Sequence, residues 1–216
     1  MKLRIALFFS GAATLAGAAI LRARAASTLP PYARSAKKRC LLISNSKLAG
    51  LEYLDHAMEH ISGFIGSSAS AGYILFVPYA QRDRDGYVAR ITQAFAGTGY
   101  DVRSLHECET ASARLAAVQG AGTIFIGGGN TYRLLKSLQQ DAGLLELIAS
   151  RVAAGSLMYI GSSAGSNLAC PTIRNTNDMP IVWPEGLNGL NLVPFQVNTH
   201  FIDEERELKN HMGESF

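Results

Sequence analysis

The sequence predicts an α/β protein built on a three-layer, mostly parallel sheet. Three observations carry that prediction. Short apolar runs alternate with amphipathic stretches from Arg39 to Ser163. The apolar runs are continuous rather than alternating, as expected of strands covered on both faces. Their order, βαβαβαβαβ, is that of a chain crossing repeatedly over one sheet.

The first predicted strand is "CLLISNS", residues 40–46. The stretch 51–65 follows, with Leu51, Leu54, Met58, Ile61 and Ile65 at helical spacing. "GYILFVPYA" is a second strand, bounded by Gly72 and Pro78. Residues 85–96 form a helix with Val88, Ile91 and Phe95 on one face. "YDVRSL" is a third strand and residues 111–118 a short helix. "GTIFIGGG" is a fourth strand that ends in glycines. Residues 131–138 and 144–153 are helical, and "SLMYIGSS" is the fifth strand. Beyond Pro171 the chain turns rich in Asn and Pro with short strand-like pieces, the kind of segment in which α/β proteins build their sites.

With 216 residues, 48% hydrophobic and 17% charged, the chain has an ordinary globular composition and enough length for one domain with a buried core. The net charge of +3 arises mainly in the first forty residues, where Lys2, Arg4, Arg22, Arg24, Arg34, Lys37, Lys38 and Arg39 precede the first acid, Glu52. Without that segment the body is close to neutral, so no nucleic-acid partner is indicated. Cys40, Cys108 and Cys170 are too few and too scattered for a disulfide framework or a zinc site, and read as buried small hydrophobes.

Lys2 and Arg4 lead into an apolar stretch over residues 5–21, followed by "RARAAS". Ala23-Arg24-Ala25 fits the A-x-A cleavage site of a signal peptide. The acid-free, Arg-bearing leader also fits a mitochondrial presequence. A third reading is an uncleaved membrane anchor, since a span needs about 17 residues or more. All three make residues 1–38 an address or anchor plus linker, outside the fold, with residues 39–216 as the domain.

Gly161-Ser162-Ser163-Ala164-Gly165 satisfies G-x-S-x-G, with Ser163 on the turn between a strand and a helix start. The spacing suits an exposed nucleophile, with the Ala164 N–H aimed at an oxyanion. A plain strand-to-helix turn crowded with small residues fits the same pentapeptide. Gly127-Gly128-Gly129-Asn130 closes the fourth strand. Three glycines expose backbone N–H groups to an anion, or serve as a tight turn capped by Asn130. Neither a Walker A motif nor G-x-G-x-x-G is present. Among the histidines, His56 and His60 read as a solvated helix face, and His106 lacks local support. His200 closes the apolar run "FQVNTHF", read as a strand whose carboxyl end faces the edge that carries Ser163, and is the best candidate base.

"GGGNTYRLLKSL", "GSSAGSNLACPTIRNTNDMPIV" and "FQVNTHFID" resemble peptidase E, the α-aspartyl dipeptidase family of serine peptidases, and the resemblance runs from about residue 39 to 214. It implies a class I glutamine amidotransferase-like fold in which the elbow serine replaces a cysteine. It implies Ser163 as nucleophile and His200 as base, with an oxyanion hole from Gly128, Gly129 and Ala164. It also implies Asp178 at the substrate's free α-amino group, where a carboxylate pairs with an ammonium, and Asn130 as a second substrate-binding residue. The substrate is then a small peptide, and no metal or organic cofactor is implied. The family's Arg for the substrate's side chain, and a triad Glu, would fall at or beyond Gly213-Glu214-Ser215-Phe216, so the sequence reads as C-terminally incomplete. Asp203, Glu204, Glu205 and Glu207 read as a solvated charge run. Two rival expectations are a cyanophycinase-like peptidase and a catalytically silent, membrane-tethered binding module.

Overall fold

The computed structural model describes residues 5–9, 37–67 and 72–201. The elements in chain order are β1 (Ile5–Phe9), β2 (Arg39–Ile43), α1 (Asp55–Ile65), β3 (Ile74–Val77), α2 (Arg84–Ala94), β4 (Val102–Ser104), α3 (Ala111–Gly120), β5 (Thr123–Ile126), α4 (Thr131–Gln139), α5 (Leu144–Ala153), β6 (Met158–Ser162) and α6 (Ala164–Leu168). The sheet order is β1-β2-β6-β5-β3-β4. Every pairing from β2 to β4 is parallel.

Strand burial explains the continuous apolar runs. Leu41, Ile43, Ile74, Phe76, Phe125 and Ile160 pack with Ile61 and Phe64 of α1 and Tyr87 and Ile91 of α2 on one face. Leu42, Leu75, Val77, Ile124, Ile126 and Tyr159 pack with Val118 of α3, Leu134 and Leu138 of α4 and Ile148 of α5 on the other. The strands β2, β3, β5 and β6 therefore spend both of their side-chain registers in a core, which leaves no polar alternation to read in them, while the outer strand β4 keeps Arg103 exposed.

Three helices start at side-chain caps. Asp83 accepts from Gly86 N–H before α2, Thr110 from Ala113 N–H before α3, and Asn130 from Arg133 N–H before α4. The first helix is shorter than its spacing predicts. Leu54 takes a left-handed conformation (φ 67°) and starts α1 at Asp55, leaving Leu51 43% exposed.

Ile5–Phe9 runs antiparallel to β2, with Ile5 opposite Ile43 and Phe9 opposite Arg39. β2 is the last of the parallel strands and its outer edge offers unpaired backbone groups, which an apolar strand satisfies. The rest of the predicted leader, residues 10–36, lies outside the described residues. Among the described residues no helix is long and apolar enough to cross a membrane. One expectation is corrected: "FQVNTHF" is irregular chain rather than a strand. It is held by Val197 N–H donating to Cys170 Sγ at 3.3 Å, Gln196 Nε2 donating to Thr172 Oγ1 at 2.8 Å, and Asn175 Nδ2 donating to the Val197 carbonyl. These contacts replace a strand ladder and satisfy the backbone locally.

Candidate active site

The helix after β2 covers one face of the sheet, while α6, after the neighbouring β6, covers the other. Adjacent strands whose connections leave to opposite faces open a crevice at their carboxyl ends. Ser163 stands at that edge, between β6 and α6. It is not a glycine, yet it takes φ 50° and ψ −108°. Its N–H donates to the Ile43 carbonyl at the end of β2 at 2.9 Å, and its carbonyl accepts from Ser166 and Asn167 N–H.

The flanking glycines of the pentapeptide are required by close approach. A Cβ on Gly161 would meet the Gly165 carbonyl oxygen at 2.5 Å, and one on Gly165 would meet the Ile126 carbonyl oxygen at 2.1 Å. β5, β6 and α6 thus press together at two points where a methyl group cannot fit, and the tight turn lifts Oγ out of the sheet.

Ser163 Oγ lies 2.7 Å from His200 Nε2, within the hydrogen-bond reach that a general base requires. His200 is exposed and sits at φ 60°. Its N–H donates to Ser44 Oγ, just past β2, at 3.0 Å. The structure thus brings Ser163 and His200 together across 37 residues of sequence.

The glycine loop after β5 also reaches the nucleophile. A Cβ on Gly128 would sit 3.0 Å from Ser163 Cβ. The two loop N–H groups differ, however. Gly128 N–H donates inward to Tyr87 Oη at 2.8 Å, so it is already engaged. Gly129 N–H donates to no described residue. Ala164 is the first residue of α6 and fully buried. Its N–H lies in the first turn, where no intrahelical acceptor exists.

Asp178 is brought to the start of α4. Its Oδ2 accepts from Thr131 N–H at 2.7 Å and Thr131 Oγ1 at 2.5 Å, with the Thr176 hydroxyl at 2.8 Å. A carboxylate at a helix N-terminus is favourable in its own right. All three contacts fall on one oxygen, which leaves Oδ1 for another partner. Asn130 is engaged at both ends of its side-chain amide. Its Oδ1 caps α4, and its Nδ2 donates to the Met179 carbonyl at 2.8 Å, which ties the Asp178 loop to the helix start.

Other sequence readings are adjusted. His56 Nε2 lies 2.8 Å from the Asn45 carbonyl, while His60 is exposed. His106 is supported after all, with Ser104 Oγ 2.6 Å from Nδ1 and Asp85 Oδ1 2.9 Å from Nε2. Cys40 and Cys170 are buried but Cys108 is only partly so. Among the described residues no group of three or more His, Cys, Asp or Glu could hold a metal. The charge run at Asp203–Glu207 and the Gly213–Phe216 stretch lie outside them. Tyr87, Gln81 and Ser44 were missed: Tyr87 reads as one more core residue of a helix, and the other two as ordinary turn residues.

The peptidase family S51 model matches residues 40–216. The chain is 45% identical over 175 residues to "Peptidase E" of Streptomyces coelicolor, covering 81% of this chain and 68% of that protein. It is 42% identical over 178 residues to a Drosophila melanogaster protein named "Probable alpha-aspartyl dipeptidase", covering 82% and 72%. A crystal structure of a peptidase from an acI-B1 Actinobacterium superposes with a TM-score of 0.56 at 19% identity, over 75% of this chain and 68% of that one, a likeness of fold. The predicted parallel α/β architecture of the glutamine amidotransferase kind agrees with these neighbours. The family match spans the elbow serine, the glycine loop and the histidine alike, and this chain belongs to peptidase family S51.

Proposed function

We propose that the chain is a serine-type dipeptidase that hydrolyses dipeptides with an N-terminal aspartate through an acyl-enzyme on Ser163. The observation that carries this reading is the 2.7 Å contact between Ser163 Oγ and His200 Nε2 on a strained strand-to-helix turn. The names of the relatives, peptidase E and alpha-aspartyl dipeptidase, support the substrate class. The family match over 40–216 supports residues 39–216 as the peptidase unit.

In the first half-reaction Ser163 Oγ attacks the carbonyl carbon of the N-terminal residue, and its proton passes to His200 Nε2. The carbonyl π pair moves to oxygen, where N–H donors stabilise the charge. The tetrahedral intermediate collapses, the C–N bond breaks, and His200 gives its proton to the leaving amine. An ester now joins the aspartyl group to Ser163. Water then adds to that ester, losing a proton to His200. Cleavage of the C–Oγ bond releases aspartate, and the proton returns to Ser163. Asp178 Oδ1 pairs with the substrate's α-ammonium, which selects a free N-terminus over an internal bond.

The test is hydrolysis of Asp-Leu, Leu-Asp and β-Asp-Arg by the wild type and by Ser163→Ala, with fluorophosphonate labelling of both. Cleavage of Asp-Leu, and labelling, by the wild type alone is expected. Preferential cleavage of β-Asp-Arg would replace the substrate assignment. Failure to cleave or label, or equal labelling of Ser163→Ala, would refute the enzyme reading.

A further inference from the structure

Two side chains outside the predicted catalytic set grip successive peptide planes of the glycine loop. Tyr87, on α2, is 4% exposed, and its Oη accepts the Gly128 N–H at 2.8 Å. The hydroxyl is itself braced, with Tyr53 Oη at 2.8 Å and the Phe76 ring edge-on at 5.0 Å between centroids. Burial pushes the Tyr87 hydroxyl well above the usual tyrosine range, so it stays neutral at any working pH. A side chain at Gly127 would strike Tyr87 Oη at 2.5 Å, so the tyrosine occupies the space that a Cβ would need.

On the next plane, Gln81 Nε2 donates to the Gly128 carbonyl at 3.2 Å. No peptide bond in the described chain is cis. Across a trans peptide, the carbonyl and the following N–H point in opposite directions. Gln81 therefore turns Gly129 N–H away from itself. Gly129 is pinned further: it has φ 137°, and a Cβ there would lie 2.6 Å from the Ala80 carbonyl oxygen. That same oxygen accepts Asn130 N–H at 2.9 Å. The loop is thus held at both faces, directly against Ser163.

We propose that Tyr87 and Gln81 are positioning residues of the oxyanion hole, committing Gly128 N–H to the interior and presenting Gly129 N–H, with Ala164 N–H, to the developing oxyanion. This rests on the acyl-enzyme reading above. Donors of this kind act where charge develops, so their misplacement lowers kcat and leaves ground-state binding nearly unchanged.

The test compares the full chain with its Tyr87→Phe and Gln81→Ala variants on Asp-Leu, and on the boronic acid analogue of aspartate, which forms a tetrahedral adduct with Ser163. Each variant is expected to lose about 10-fold to 100-fold in kcat, with KM within about twofold. The boronate should weaken by a similar factor, while inhibition by free aspartate stays unchanged. Gln81 is a surface side chain, so its variant decides the matter even where Tyr87→Phe fails to fold. A wild type that cleaves Asp-Leu while Gln81→Ala keeps both kcat and boronate affinity overturns the inference and leaves the function standing. A wild type that neither cleaves the dipeptide nor binds the boronate fails the function itself, and the inference falls with it.

Discussion

Replacing Ser163 by glycine should leave the fold more stable than replacing it by alanine, the reverse of the usual order. Ser163 sits at φ 50°, ψ −108°, and a backbone of that kind costs a residue with a Cβ about 1–3 kcal/mol. Both substitutions remove the hydroxyl and its 2.7 Å contact with His200 Nε2, so that loss cancels between them. Alanine keeps the strain and glycine releases it. Against this, glycine frees the unfolded chain by about 0.4–1 kcal/mol. The middle of the two ranges gives Ser163→Gly an advantage of about 1 kcal/mol. For a chain of this size that is about 2–4 °C in Tm. Urea and thermal melts of the two variants read the difference directly. Both should lose at least about 10³-fold in turnover, which shows that stability and activity are traded at this one residue. A Ser163→Gly protein melting at or below Ser163→Ala would refute the reasoning, since the turn would then store no strain at the nucleophile.

Asp178→Asn should lower kcat/KM on Asp-Leu by about 30-fold to 10³-fold, as expected when a charged contact to substrate is lost. Its melting point should fall by little, because an amide oxygen still accepts from Thr131; wild-type kinetics would reduce Asp178 to a helix-terminal acid. Asp141 is 7% exposed, and hydrogen bonds from Arg114, at 2.5 and 2.7 Å, hold its carboxyl below the usual carboxylate range. Its stabilisation is therefore present above the unfolded carboxylate value and lost as pH falls through the lower folded one. Asp141→Asn should cost about 2–3 kcal/mol at pH 7, with the gap to wild type closing below about pH 4 in urea melts. Burial pushes the Cys40 thiol up to about 11 and raises Cys170 as well. Iodoacetamide at neutral pH should modify Cys108 alone in the native protein, all three cysteines after unfolding, and leave activity intact; rapid native labelling of Cys40, read by mass spectrometry, would contradict that packing.

What the sequence made legible was local. The pentapeptide around Ser163 announces itself because one turn needs small residues at fixed offsets, and the close approaches at Gly161 and Gly165 confirm why. The strands β2, β3, β5 and β6 were legible because burial on both faces makes them almost wholly apolar, whereas β4, with Arg103 exposed, carries a weaker signal. The features that escaped depend on contacts distant in sequence. Tyr87 meets Gly128 across 41 residues, and nothing in its helix distinguishes it from a core aromatic. The run before His200 reads as a strand by composition, yet side-chain contacts to Cys170, Thr172 and Asn175 hold it as a loop. The two hydrogen bonds by which Asn130 ties the Asp178 loop to the start of α4 likewise join residues that the sequence alone does not bring together.

An exposed histidine on irregular chain is an unpromising base unless something fixes its distance to the nucleophile. The end of β2 does this for both partners. Ile43 accepts the Ser163 N–H at 2.9 Å, and the next residue, Ser44, accepts the His200 N–H at 3.0 Å. The two backbones are thus measured from consecutive residues of one strand terminus, whose side chains Leu41 and Ile43 are fully buried. Both backbones that carry the Oγ–Nε2 contact are thereby tied to the sheet. That is the geometric condition for proton transfer by a positioned base, where displacements of about 1 Å cost about 10²-fold. The candidate site thus lies at the β2–β6 boundary, where a strand end, an elbow and a returning loop meet.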